Sequence, residues 1–296
     1  MHKYLRAAGF SGYTRKREIE ALIDRLIGES SSVKGIQVDE ETNACEVRAL
    51  VAEDLGICIC GEKDEDGTFQ WEFYYPYLAG DNITSQADCI VQRHAEKETY
   101  AGMLEEYKVG VSLIFYLQNS LEYWDREIKK QPREVSSVML SGLSIEGKIL
   151  LPVKKTKSQI EMAKVASTDR SSRIEAARNG DEDAMESLTI EDIDLYSKIS
   201  RRVMKEDVYS IVDSCFMPSG VECDQYSVVG DIIEMNLLTN RVTGEQVYHF
   251  LLDCNDLLFH VGINKLDLNG EPKVGRRFKG QIWMQGVVNF ADTAEE

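Results

Sequence analysis

Cys58 and Cys60, one residue apart, fall on the same face of a strand and could open a soft-metal site. The remaining ligands would have to be Cys89 with His94, or His249, Cys254 and His260. Their spacing matches neither Cys-x-x-Cys nor His-x-x-x-His, so no metal is expected. His94-Ala95-Glu96 copies half of a zinc-deaminase signature, but no Pro-Cys-x-x-Cys follows it. Gly142-Leu143-Ser144-Ile145-Glu146-Gly147 lacks the second glycine of a nucleophile elbow. The four histidines are scattered, and Walker A, dinucleotide-glycine and His-Glu-x-x-His patterns are missing. Neither catalytic residues nor a cofactor are therefore expected. Asp64-Glu65-Asp66-Gly67 opens like a calcium loop but runs straight into strand, so it reads as a solvated turn. Asp181, Glu182, Asp183 and Glu186 sit where acids favour a helix start without any metal. One concentration of basic and aromatic residues remains as a candidate binding surface: Arg276, Arg277, Lys279 and Trp283. On a strand, Arg277, Lys279, Gln281 and Trp283 share a face that could stack bases or hold an anionic peptide. An outer strand whose tryptophan covers a neighbouring domain has the same pattern.

The elements that would position these groups divide the chain into three parts. Thr14 is a candidate N-cap for a helix carrying Ile19, Leu22, Ile23, Leu26 and Ile27 on one face, with Gly28 as its stop. Strand patterns follow at Glu46 to Ala52, Leu55 to Glu62 and Thr68 to Leu78, the last two forming a hairpin. Val109 to Leu117 reads as a strand covered on both faces, and Val135 to Val153 as a hairpin turning near Glu146-Gly147. From Ser158 to Phe216 proline is absent and charge is dense, which predicts several short helices. Asn179-Gly180 would end one, Asp181 would cap the next, and Thr189 with Asp192 would start another. Val208, Ile211, Val212, Cys215 and Phe216 form a helical apolar stripe. The final segment alternates as strands near Tyr226 to Leu238, Glu245 to Cys254, Leu257 to Asn264 and Arg277 to Phe290. Gly230, Gly280 and Gly286 lie where a small barrel bends. An OB-like barrel normally has five strands, so a fifth would have to come from elsewhere in the chain.

The fold class expected is α+β: an α+β domain with an antiparallel sheet over 1–153, a short-helix region over 154–224 and an OB-like or small β-barrel domain over 225–296. With 43% hydrophobic residues the chain buries a core. It contains no run of about 18 apolar residues, and no hydrophobic leader follows Met1. A cytoplasmic location is expected. The seven cysteines, an odd set placed mostly within apolar patterns, read as reduced core residues. Net charge is −17, distributed as −9, −4 and −4 over the three parts, so no part attracts phosphate backbones or anionic lipid.

Several motifs resemble an uncharacterised domain-of-unknown-function family of gut Firmicutes: Met1 to Phe10, Arg93-His94-Ala95-Glu96-Lys97-Glu98, Gly180-Asp181-Glu182-Asp183-Ala184, Glu191-Asp192-Ile193-Asp194, Phe216 to Tyr226 and Gly275 to Gly286. The resemblance covers the whole chain. It implies a bacterial cytosolic protein and transfers no activity, cofactor or catalytic residue. The leading expectation is a non-enzymatic binding or assembly protein whose partner is another protein or a second copy. The alternatives are a nucleic-acid-associated protein using the C-terminal barrel, and an enzyme whose inter-domain site is built from carboxylates and arginines without a linear motif.

Overall fold

In the computed structural model, which describes residues 2–30, 33–38, 43–64, 66–93, 99–109, 111–153, 157–204 and 211–291, a first antiparallel sheet holds four strands. They are β1 (Lys34–Gln37), β2 (Asn43–Ala52), β3 (Leu55–Lys63) and β4 (Phe69–Leu78), paired in chain order with β1 at an edge. Asp54, in the left-handed region at φ 58°, makes the tight turn between β2 and β3. Period-two alternation then divides the sheet's faces. Val47 pairs with Ile59 and Ala49 with Ile57, and these share a core with Ile19, Leu22, Ile23 and Leu26 of α1 (Lys16–Glu29). On the opposite face Glu46 pairs with Cys60 and Arg48 with Cys58, and Tyr75 lies beside Cys58.

The second sheet is mixed. It contains β5 (Cys89–Arg93), β6 (Tyr100–Glu106), β7 (Val111–Leu117), β8 (Val135–Leu150), β9 (Cys215–Pro218), β10 (Gln225–Thr239), β11 (Gln246–Cys254), β12 (Leu257–Asn264), β13 (Leu268–Asn269) and β14 (Arg277–Phe290). Five of these close a ring of pairings. β10, β11 and β12 are antiparallel neighbours, β12 runs parallel to β8, β8 is antiparallel to β14, and β14 returns antiparallel to β10. Phe250, Phe259, Val261, Phe278 and Ile282 from these strands share one fully buried core. β10 closes the ring by bending: Gln225 to Asp231 pair with β14, and Asp231 to Thr239 pair with β11. The bend falls at Gly230, where a Cβ would sit 2.8 Å from the Asp253 carbonyl oxygen, and at a register shift between Ile232 and Glu234.

The mixed α and β character matches the sequence reading, but β8, β9 and the two helices between them differ from it. Val135 to Leu150 is one strand, because β14 pairs along its length and Gly147 lies opposite Gly280 without turning. It pairs with β12 and β14 of the C-terminal set. In place of several short helices, two helices of 22 residues, α3 (Lys157–Arg178) and α4 (Glu182–Val203), form a hairpin. Asp181 caps α4 by accepting from the Ala184 amide, and Gly180 takes φ 90° between the helices. Thr189 starts no helix, since its hydroxyl donates back to the Met185 carbonyl inside α4. Cys215 and Phe216 lie in β9 instead of a helix, while Val208 lies outside the described residues, as do Glu65 and His94 to Glu98. Among the described residues no helix is long and apolar enough to cross a membrane.

Candidate functional site

On the outward row of β14 the rest of the chain covers Arg277 and Trp283, while Gln281 stays exposed. Trp283 is 4% exposed. Tyr4 stacks on it at 5.4 Å, His2 and Tyr116 pack at 4.6 and 5.2 Å, and its Nε1 donates to Asp224 Oδ2 at 2.7 Å. Arg277, also 4% exposed, donates from Nε to the Leu151 carbonyl at 3.0 Å and from Nη1 to the Val212 and Asp213 carbonyls at 2.9 and 3.1 Å. Arg276 donates to the Glu271 carbonyl at 2.6 Å. Lys279 is half-buried, and Gln281 bonds Ser219. These residues tie the N-terminal segment, the end of β8 and the start of β9 to the ring.

Open space lies elsewhere. A cleft of about 560 Å³ separates the first sheet from α2 (Ser120–Ile128). β1 contributes Lys34, Gly35 and Ile36, β2 contributes Glu46 and Arg48, and the far wall is Asn119, Leu121, Glu122 and Asp125 with Val287. An adjoining recess shares Glu46 and Leu121 and reaches Cys60, Glu62, Glu72 and Trp124. Asn119 fixes the far wall by donating to the Val288 carbonyl at 2.9 Å and accepting from the Val288 amide at 3.1 Å. Glu122 and Asp125 are one turn apart on α2, paired with Arg126 at 3.8 Å and Lys129 at 2.7 Å.

The floor of the cleft is an ion pair set among thiols and phenols. Arg48 Nε donates to Glu46 Oε1 at 3.0 Å, its Nη2 donates to the Gln118 carbonyl, and its guanidinium lies over the Tyr77 ring at 5.2 Å. Tyr75 donates to the same carbonyl at 3.1 Å. The Gln118 side-chain amide bonds the Leu78 carbonyl, Ser141 and Gln285 at 2.9, 3.1 and 3.1 Å, which joins the two sheets. Cys58 Sγ is 3.7 Å from Glu46 Oε2 and 3.8 Å from Cys60 Sγ.

Burial sets the protonation of this floor. Desolvation works against the Arg48 charge, but Tyr75, Cys58 and Glu46 outweigh it and its pKa rises. The Cys60 thiol is pushed up by its bond to Cys58 and by burial, and desolvation raises the phenols of Tyr75 and Tyr116. Tyr77 is pushed up to about 12, again by burial. Cys60 and the phenols thus stay protonated near neutrality, without the thiolate character of a nucleophile. Among the described residues no three or more His, Cys, Asp or Glu are grouped to hold a metal.

Sequence reading singled out Cys58 and Cys60 but not the cleft above them. Its walls come from three segments far apart in the chain, each ordinary by itself. The pairing of Glu46 with Cys60 and Arg48 with Cys58 was the available signal, and it depends on a strand register that composition does not set.

Residues 5–286 match a family model described as "Domain of unknown function, E. rectale Gene description (DUF3881)". The chain belongs to that family. No activity is assigned with it, and the function is unknown. No curated protein and no solved structure matches the chain.

Proposed function

We propose that this is a non-enzymatic, cytosolic binding protein that takes up an extended, basic segment of a partner protein in the cleft between β1 and α2. The observation that carries this reading is the sheet edge. Among the described residues β1 pairs only with β2, and Lys34, Gly35 and Ile36 of that edge line the cleft. An extended segment added to such an edge gains main-chain hydrogen bonds, while the wall opposite selects its side chains. Here that wall presents Glu122 and Asp125, and the whole molecule carries −17, so basic side chains are favoured in both encounter and register.

The five-strand ring supports a scaffold role. Its pairings, an antiparallel meander closed through one parallel pair with β8, support reading it as OB-like. The nucleic-acid reading has less support, because Arg277 donates to three carbonyls of its own chain and Trp283 is buried by Tyr4 and His2. An enzymatic reading lacks a base or nucleophile in the raised Cys60 thiol and the raised phenols of the floor.

The test is fluorescence anisotropy with labelled extended peptides alternating lysine and valine, against acidic and scrambled-charge controls. Micromolar binding of the basic peptides is expected, with Asp125→Lys weakening it about tenfold and raising the salt sensitivity of what remains. Equal binding of acidic and basic peptides, or no effect of Asp125→Lys, would reject the reading.

A further inference from the structure

The α3–α4 hairpin carries its polar groups inward. Arg170 reaches Asp192 at 2.7 Å, and Arg173 reaches Glu191 at 3.0 Å and the Ser187 hydroxyl at 3.2 Å, all across the seam between the helices. Four apolar side chains of α4 are exposed, whereas Ala184 is buried and Leu188 half-buried. Met185, Ile193 and Tyr196 follow one another at helical spacing with Ile190 beside them, and they are 44, 61, 75 and 56% exposed respectively. A solvated helix exposes mainly polar groups, and none of the described residues covers this row.

We propose that the cover is α4 of a second copy, packed antiparallel about a two-fold axis near Glu191. A two-fold contact needs a surface complementary to itself: if residue i meets j, then j meets i. The row satisfies this. About a centre between positions 191 and 192, Ile190 of one copy meets Ile193 of the other, and Ile193 meets Ile190. Charge follows the same symmetry, with Glu182 and Asp183 in the first turn and Arg201 in the last, so each end meets its opposite in the partner copy. A parallel arrangement would set the acidic ends against each other. The two hairpins then stack with the two copies of α4 in contact through the apolar row and each α3 on the outer side. This surface is separate from the cleft and leaves it open, so a dimer would offer two clefts to a partner.

Sedimentation velocity on the full chain, over a range of micromolar concentrations, tests the proposal. Wild-type protein is expected to sediment as a dimer, and Ile193→Glu to raise the dimer dissociation constant at least about thirtyfold. Because that side chain is exposed, the helical circular dichroism and melting of the variant should be unchanged. A charge exchange provides a second readout that needs no apolar change. Arg201→Glu alone should weaken the dimer, and Arg201→Glu with Asp183→Arg should restore it. A monomeric wild type, a dimer indifferent to Ile193→Glu, or an exchange that fails to restore association would each overturn the proposal.

Discussion

Glu46 is buried and Arg48 half-buried beneath the cleft, and each is the other's ion-pair partner. Removing one leaves the other charge without compensation, which typically costs about 3–5 kcal/mol, whereas replacing both with apolar groups is often tolerated. Glu46→Ala is therefore expected to destabilise the protein strongly, and Glu46→Ala with Arg48→Met to regain most of the loss in urea denaturation. A second buried pair concerns pH. His249 Nε2 lies 2.8 Å from His260 Nδ1, with the Asp81 carboxylate 3.1 Å from His260 Nε2. Burial first, then the neighbouring His260, lowers the pKa of His249 to about 4, and burial lowers that of His260 despite Asp81. A histidine whose folded pKa is depressed binds its proton more readily when unfolded. Its contribution is then complete above the unfolded value near 6.5 and is lost as pH falls from there toward about 4. Stability should decline in that window by up to about 1.4 kcal/mol per pH unit for each proton, and His249→Gln should flatten the decline.

Close approach of backbones constrains the strands more than propensity does. A Cβ at Gly102 on β6 would stand 2.0 Å from the ring of Phe115 on β7, so Gly102→Ala must displace a fully buried phenylalanine. The expected loss is about 1–3 kcal/mol, read as a lower melting temperature, and Phe115→Leu in the same chain should recover part of it. Alternation made most strands legible in the sequence: β2, β3, β4, β7, β10, β11, β12 and β14 lie within a few residues of their apolar patterns. Short edge strands escaped it, since the four residues of β1 and of β9 are too few to show a period. β8 was misread because Glu146-Gly147 has the composition of a turn, while its actual constraint, fourteen residues of β14 alongside, lies more than a hundred positions away. Thr189-x-x-Asp192 misled for the opposite reason. A local capping pattern is overridden when the hydroxyl bonds back to the helix in which it sits.

At the scale of the molecule, the two sheets are joined through Gln118 and through the aromatic cluster around Trp283, so the row that looked like a binding surface holds the chain together. Trp283→Ala is expected to cost about 3–5 kcal/mol and to lower one cooperative unfolding transition, seen at the same midpoint by far- and near-ultraviolet circular dichroism. Arg277 and Trp283 of that row are engaged internally, whereas at the cleft an edge unpaired among the described residues faces an acidic helix. A covering role for Trp283 is one reading of its strand in the sequence, whereas the exposed β1 edge is not visible there, because it is a consequence of how distant strands close. Hydrogen exchange at the backbone amides of Lys34 to Gln37, with and without a saturating basic extended peptide, addresses the central claim. Edge addition requires at least one of those amides to slow by about tenfold or more, since an amide open to water becomes a ladder donor. Binding that leaves Lys34 to Gln37 unchanged and protects another surface would contradict it.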